Sequence, residues 1–166
     1  MKYTYDYPMP AFTVDMVLFD ETVTKVLLIQ RRDNPYKDCW AFPGGFVNIN
    51  ELSFDAAKRE LQEETGIIKP CLYQYKLIET VGRDPRGRIL SMVYYGYITD
   101  NDNPIAGDDA KAIQWFDIND LPKLAFDHES ILRQILTHFA MEEKWNKIHD
   151  KLLELEVYHS RTAIIG

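Results

Sequence analysis

Three glutamates near the middle of the chain have the spacing of a divalent-metal site. Glu60, Glu63 and Glu64 occupy positions i, i+3 and i+4 of a predicted helix, so their side chains share one face. Hard cations such as Mg²⁺ prefer several oxygen ligands, and carboxylates supply them. Arg59 lies four residues before Glu63 and can orient that acid without occupying the cluster. A metal site is therefore possible, but a solvated helix face with local ion pairs would have the same spacing.

The helix that carries these acids has recognisable ends. Asn50 or Ser53 can act as its N-cap. The helix is expected to run to about Thr65, where Gly66 is a suitable C-terminal stop. Three apolar residues fall on one arc at about 100° per residue and are expected to face the core: Phe54, Ala57 and Leu61.

The rest of the chain predicts a layered α/β domain. Five segments have the pattern of β-strands, namely 11–20, 25–30, 71–83, 88–99 and 113–118. The first two are joined by a short polar link that favours a hairpin. Helical apolar spacing follows over 127–139 and 141–156. A chain of 166 residues suits one domain, and this mixed order of elements is typical of α/β folds.

Composition and charge narrow the class of protein. The chain is 46% apolar and 27% charged, with a net charge of −7, which disfavours a nucleic-acid backbone as the main partner. The N-terminal residues lack the apolar core of a signal peptide, and no segment has the length of a membrane span. Cys39 and Cys71 are isolated, so free thiols in a reducing compartment are expected. A cytoplasmic protein without membrane contact is the resulting expectation.

The spacing from Gly45 to Ile67 is much more specific than the helix face alone. Gly45 is followed after five residues by Glu51, and seven residues later by RELQEETGI. This matches the pattern GX5EX7REUXEEXGU, in which U is a bulky apolar residue, at every specified position. The stretch resembles the Nudix box, which makes metal binding the better account of the crowded acids.

The resemblance extends from about residue 12 to residue 136 and implies a fold, a reaction and a set of site residues. The implied fold is an α/β/α sandwich with a mixed central sheet over residues 1–140, with residues 141–166 as a helix and tail packed on it. The implied reaction is hydrolysis of a nucleoside diphosphate linked to another group, with Mg²⁺ or Mn²⁺. The implied metal ligands are the carbonyl of Gly44 and the carboxylates of Glu60, Glu63 and Glu64.

The resemblance also assigns supporting and catalytic roles. Glu51 and Arg59 would hold the loop and the glutamates in place. The base that removes a proton from water is a box glutamate, Glu60 or Glu64, or an acid on a later loop, for which Asp109 is the candidate. The sequence around Asp109 also fits a turn or a helix cap, so that alternative stays open.

Stretches outside the box indicate the substrate. LLIQRR, WAFPGGFV and VGRDPRGR resemble the bacterial ADP-ribose pyrophosphatase group. ADP-ribose, cleaved to AMP and ribose 5-phosphate, is therefore the expected substrate. Arg32, Arg83 and Arg88 are the candidate substrate ligands, because a guanidinium group binds phosphate oxygens in pairs. A solvated turn and strand end is the alternative for these arginines.

Two other functions remain open at this stage. Related repressors use the same domain to sense ADP-ribose without hydrolysis, and other Nudix enzymes act on nucleotides such as nucleoside triphosphates. Residues 141–166 are too few for a complete winged helix, so DNA binding is not expected. A homodimer is expected, because related enzymes often complete the adenine site across subunits.

Overall fold

The computed structural model describes residues 4–68, 71–98, 104–107 and 110–162, with side chains up to residue 147. Within these residues the elements, in chain order, are β1 (Ala11–Asp20), β2 (Lys25–Arg31), β3 (Trp40–Ala41), β4 (Gly44–Phe46), α1 (Ser53–Thr65), β5 (Cys71–Ile78), β6 (Ile89–Ile98), β7 (Ala110–Asp117) and α2 (His128–Thr162). All five predicted strands are confirmed, although β5 ends at Ile78, several residues earlier than predicted. The two short strands β3 and β4 were not predicted.

The strands form one mixed sheet with β1 at its centre. The order is β3-β2-β1-β6-β5, with β4 also paired to β1 and β7 to β2. β1 and β6 run parallel over their whole length, and the other strand pairs are antiparallel. The predicted hairpin of β1 and β2 and the predicted mixed α/β fold are both confirmed.

Helix α1 packs on the sheet through small and aliphatic side chains. Ala56, Ala57 and Leu61 are completely buried in a cluster with residues of β1, β2 and β6. Burying one leucine side chain contributes about 2 kcal/mol. The prediction that Phe54 faces the core is wrong, because this residue is 42% exposed. Two small alanines face the sheet instead, and Phe54 lies at the margin, its ring 5.8 Å from that of Tyr94.

The two ends of α1 differ from each other in how well the sequence predicted them. Gly66 adopts the left-handed conformation, with φ of 74°, and its amide donates to the carbonyl of Gln62, as the sequence predicted. At the other end Leu52 is the N-cap, without a side-chain hydrogen bond. The predicted caps Asn50 and Ser53 are wrong. Ser53 is already helical, and its hydroxyl is 2.9 Å from the Tyr94 hydroxyl.

Contacts between residues divide the chain into two compact units, with the boundary after Glu129. The first unit contains α1 and all the described strands. The second is formed by α2 from Ser130 onward, and α2 continues through the boundary expected at residue 140. The expected packing of residues 141–166 stays a prediction. Among the described residues, no helix is both long and apolar enough to cross a membrane.

Candidate active site

A cleft of about 340 Å³ is lined by residues of the sheet and of α1, the helix that carries the Nudix-type box. It brings together residues far apart in sequence, from β1, the strand end at Arg31, the loop before β4, α1 and the turn at 83–86. Its charged and histidine side chains are Asp15, Arg31, Arg59, Glu60, Glu64, Arg83, Asp84, Arg86 and His128. Carboxylates and guanidinium groups therefore share one concave surface.

Glu64 is held against the start of β4. One of its carboxylate oxygens, Oε2, accepts a hydrogen bond of 2.7 Å from the Gly44 amide, and the residue is only 7% exposed. Gly44 in turn pairs with Asp15 of β1. A Cβ atom at Gly44 would lie 2.1 Å from the Val14 carbonyl oxygen, so only glycine allows this close approach. The loop and the helix are thereby fixed to each other at Glu64.

Glu60 occupies space that Gly45 leaves free. A Cβ atom at Gly45 would lie 2.3 Å from the carboxyl carbon of Glu60. Burial raises the pKa of Glu60, and the nearby charge of Glu63 acts in the same direction, while Arg59 opposes both. The cleft therefore holds a partly buried carboxylate whose negative charge is only partly compensated.

Arg59 connects most of the acids of the box. Its Nε and one terminal nitrogen donate to the two oxygens of Glu51, at 2.8 and 2.9 Å. Its other terminal nitrogen donates to Glu60 at 2.6 Å and to Glu63 at 3.1 Å. The Phe46 carbonyl accepts a further bond of 3.0 Å. These contacts are what a supporting role for Glu51 and Arg59 requires, and that role stays a prediction.

The electrostatics of this cluster follow from the same hydrogen bonds. The hydrogen bond from Arg59 and the amide of Asn48 lower the pKa of Glu51 to about 2. The Glu51 carboxylate in turn raises the pKa of the Arg59 guanidinium. Both groups are therefore charged over the whole physiological pH range.

The donor chemistry around Glu60 and Glu64 fits a hard divalent cation, since every candidate ligand is an oxygen. The geometry is not that of a formed metal site. Within the part of the chain that the structure describes, no three acidic, histidine or cysteine side chains converge as a metal-binding group. Arg59 holds Glu60 and Glu63, and the Gly44 amide holds Glu64. Metal binding by Gly44, Glu60, Glu63 and Glu64 therefore stays a prediction.

The structure separates the three arginines predicted as substrate ligands. Arg83 lines the cleft, but it is 9% exposed and donates to Asp127 and Asp15 at 2.8 and 3.1 Å. Arg32 and Arg88 are not among the residues that line this cleft. Their side chains donate hydrogen bonds to backbone carbonyls, Arg32 to that of Ala110 at 3.4 Å and Arg88 to that of Glu79 at 2.7 Å.

Arg31 and Arg86 line the cleft instead. The sequence analysis considered both together with their neighbours in LLIQRR and VGRDPRGR, but did not select them as candidate ligands. The signal that favours Arg31 over Arg32 is strand alternation, because successive side chains of a strand point to opposite faces. No comparable signal separates Arg86 from its neighbours, since the turn at 83–88 has no regular period.

A buried polar network supports the floor of the cleft. Asp15 accepts hydrogen bonds from Arg83 at 3.1 Å and from the Ser91 hydroxyl at 2.6 Å. Its other oxygen lies 3.6 Å from Nε2 of His128. Burial lowers the pKa of His128, whose Nδ1 accepts a hydrogen bond from the Phe42 amide. The sequence analysis did not identify Asp15 as a member of the site.

Asp109, the predicted loop acid, lies outside the described residues. The segment just before it contacts the end of α1. The amide of Ile105 donates to the Thr65 carbonyl at 2.9 Å, and the amide of Gly107 donates to the Glu64 carbonyl at 3.0 Å. This loop is therefore anchored on the box helix, and the catalytic role of Asp109 stays a prediction.

Comparisons with known proteins agree with this fold. The NUDIX domain model matches residues 9–139. An ADP-ribose pyrophosphatase of Methanocaldococcus jannaschii is 43% identical over 130 residues, which are 78% of this chain and 75% of that protein. The ADPR responsive transcriptional repressor NtrR of Acinetobacter baylyi is 34% identical over 154 residues, 89% of this chain but only 62% of the repressor.

A solved structure shows the same fold. The NUDIX domain of Shewanella oneidensis NrtR, crystallised with ADP ribose, superposes with a TM-score of 0.73 at 28% identity, covering 81% of this chain and 94% of that domain. The chain belongs to the NUDIX family and is a Nudix pyrophosphohydrolase. Nudix hydrolases generally use divalent metal ions and bind nucleotide substrates.

Proposed function

We propose that the chain hydrolyses ADP-ribose to AMP and ribose 5-phosphate. The observation that carries the proposal is the 43% identity to an ADP-ribose pyrophosphatase over 78% of the chain. The cleft adds physical support, because it places guanidinium groups beside carboxylates. Arginines can bind the phosphates, while the carboxylates can hold a cation and accept a proton.

The proposed metal ligands are the carbonyl of Gly44 and the carboxylates of Glu60, Glu63 and Glu64, with Mg²⁺ or Mn²⁺ as the cation. When bound, such a cation neutralises pyrophosphate charge and lowers the pKa of a bound water. Arg59 then has a second function, since its hydrogen bonds to Glu60 and Glu63 fix those side chains before a cation arrives. An orientation fixed in advance reduces the entropy cost of binding.

The proposed reaction is a displacement at phosphorus. A water oxygen forms a bond to one phosphorus of the diphosphate, and the bond from that phosphorus to the bridging oxygen breaks. The bridging oxygen leaves with the other phosphate. The water proton passes to a carboxylate, for which Glu60, Glu64 and Asp109 are the candidates. AMP and ribose 5-phosphate result, without any oxidant or further reactant.

The test is a hydrolysis assay on a nucleotide panel with Mg²⁺ and with Mn²⁺, with products separated by chromatography. ADP-ribose is expected to give AMP, and Glu64→Gln is expected to lower the rate by about a thousandfold, the scale on which a charge-stabilising group acts. Glutamine keeps an oxygen that can accept the Gly44 amide, so the fold is retained. Glu21→Gln, the same change at an exposed position, is the matched control.

A non-enzymatic sensor is the second candidate, favoured by the 34% identity to an ADPR responsive repressor. The same assay separates the candidates. Tight ADP-ribose binding without turnover would support the sensor and refute the enzyme. Preferred hydrolysis of a nucleoside triphosphate would instead replace the substrate and keep the reaction class.

We also propose that the protein is a cytoplasmic homodimer. An edge strand, β5, carries the exposed Tyr73, and such an edge is available for pairing with another chain. Light scattering coupled to size exclusion is expected to give twice the mass of 19.4 kDa. A mass equal to the single chain at micromolar concentrations would refute the dimer.

A further inference from the structure

Arg31 and Arg86 are held around one aromatic ring inside the cleft. The Cζ atom of Arg31 lies 5.0 Å from the ring centre of Phe126, and that of Arg86 lies 5.6 Å from the same centre. Arg86 also lies 5.1 Å from the ring centre of Phe46. Guanidinium groups at these distances are attracted by aromatic rings. Phe126 therefore orients two cations that repel each other.

Each of these arginines is fixed by part of its guanidinium group. Nε of Arg31 donates to the Pro35 carbonyl at 2.9 Å. Nε and one terminal nitrogen of Arg86 donate to Asp84 at 3.0 and 2.7 Å. Among the described residues, neither of the two terminal nitrogens of Arg31 has a hydrogen-bond acceptor, and the second terminal nitrogen of Arg86 has none either. Donors are therefore left over at the surface of the cleft.

Charges of both signs act on Arg31. Burial lowers the pKa of Arg31, and the neighbouring charge of Arg86 lowers it further. The carboxylates of Glu64, Asp84 and Asp33 act in the opposite direction and raise it. The influence of Glu64 shows that Arg31 lies within electrostatic reach of the box carboxylates. An anion between the two arginines would remove their mutual repulsion, and it would lie beside the predicted metal ligands.

The backbone conformation of Phe126 also indicates a functional arrangement. Its φ is 53°, a left-handed conformation that is unfavourable for a bulky side chain. Ring contacts hold it there, since Phe126 lies 4.7 Å from Tyr36 and 5.4 Å from His128 between ring centres. Residues held in such conformations concentrate at ligand-binding sites.

We propose that Arg31 and Arg86 form an anion site that binds a phosphate group of the substrate's diphosphate, with Phe126 as the support that sets their separation. This inference rests on the proposed function, since it names the residues that bind the diphosphate. The two terminal nitrogens of Arg31 can donate parallel hydrogen bonds to phosphate oxygens, and the remaining terminal nitrogen of Arg86 can donate to the same phosphate group. Arg31 and Arg86 thus take the role that the sequence assigned to Arg32 and Arg88.

The test is calorimetric titration with EDTA present, so that no divalent cation supports turnover. The probes are ADP-ribose and inorganic pyrophosphate.

Arg31→Ala and Arg86→Ala are each expected to weaken the binding of both probes by about tenfold or more, because each variant loses a charge-assisted hydrogen bond. Arg31→Lys and Arg86→Lys keep the charge and the fold, and a smaller loss of about threefold is expected because an ammonium group lacks the planar donor geometry of a guanidinium group. Arg133→Ala, at an exposed position of α2, is the control.

The outcomes also separate this inference from the proposed function. Unchanged ADP-ribose binding in all four variants would overturn the anion site. So would a loss for ADP-ribose without a loss for pyrophosphate, because the arginines would then contact another part of the substrate. If the wild-type protein hydrolyses no ADP-ribose but the variants lose pyrophosphate binding, the proposed function fails and the anion site stands.

Discussion

Phe42 and His128 contact each other through both backbone and side chain. The Phe42 amide donates a 3.0 Å hydrogen bond to Nδ1 of His128, and the two rings stack with centres 4.5 Å apart and an angle of 8°. Because Nδ1 accepts, the ring proton of the neutral imidazole is on Nε2, on the side of Asp15. The first residue of α2 thereby fixes the loop that leads into Gly44.

The Phe42–His128 hydrogen bond predicts different behaviour for two substitutions of the histidine. His128→Asn keeps an acceptor near the position of Nδ1, whereas His128→Gln places its amide near Nε2. We expect the glutamine variant to lose about tenfold in kcat with little change in KM, since one buried hydrogen bond is lost. The asparagine variant is expected to retain most of kcat. Equal losses in both variants, at equal melting temperatures, would contradict this positioning role.

Gly45→Ala is expected to reduce activity more than stability. The added methyl group would lie 2.3 Å from the carboxyl carbon of Glu60, so Glu60 has to move. Because Glu60 lines the cleft, its carboxylate has space to turn away from the added methyl group, and we expect a loss of less than about 1.5 kcal/mol in unfolding free energy. The loss in kcat/KM is expected to exceed about a hundredfold, as a small misplacement of a catalytic group can cost. Measured rates within twofold of wild type would show that the position of Glu60 is not critical.

Arg59→Lys tests whether the shape of the guanidinium group matters in addition to its charge. Arg59 bonds to three glutamates and to the Phe46 carbonyl, and a lysine has too few donors to replace these contacts. We expect kcat to fall by about tenfold to a hundredfold, with a lower melting temperature. Arg133→Lys, the same change on an exposed part of α2, provides the control. Wild-type kcat in Arg59→Lys would mean that charge alone suffices.

The lowered pKa of Glu51 predicts that the stability of the fold depends on pH under acidic conditions. This pKa is lowered from 4.5 to about 2 by the hydrogen bond from Arg59. The folded state therefore binds the Glu51 proton less readily than the unfolded state, and the stabilisation is present above about pH 4.5. It is lost progressively as the pH falls towards 2.

Urea unfolding of wild type and Glu51→Gln at a series of pH values measures this effect. The wild type is expected to be more stable at pH 7, and the difference is expected to shrink between about pH 4.5 and pH 2. Asp20→Asn is a useful comparison, because Asp20 also has its pKa lowered to about 2 but lies at the end of β1, away from the box. A stability difference for Glu51→Gln that does not change with pH would contradict the assignment.

The amino-acid sequence by itself determined the elements whose signals are local. The strands β1 and β2 follow from runs of apolar residues, and the end of α1 follows from Gly66, which can adopt a left-handed conformation. The spacing from Gly45 to Ile67 identified the box, because the family pattern consists of residue types at fixed separations in the sequence. Its helix then places Glu60 and Glu64 on one face without further information.

The tertiary structure decided which residues accompany the box in the cleft. Arg31 and Arg86 are 55 residues apart in the sequence, and only the packing around Phe126 brings them together. No local sequence pattern predicted that Asp15, which lies in the middle of the mainly apolar strand β1, contacts Arg83 and Ser91. Likewise, Phe54 fits the apolar arc of α1 but is exposed, since two alanines already fill the contact with the sheet. Local pattern sets what each residue can do, while long-range packing selects its neighbours and its access to solvent.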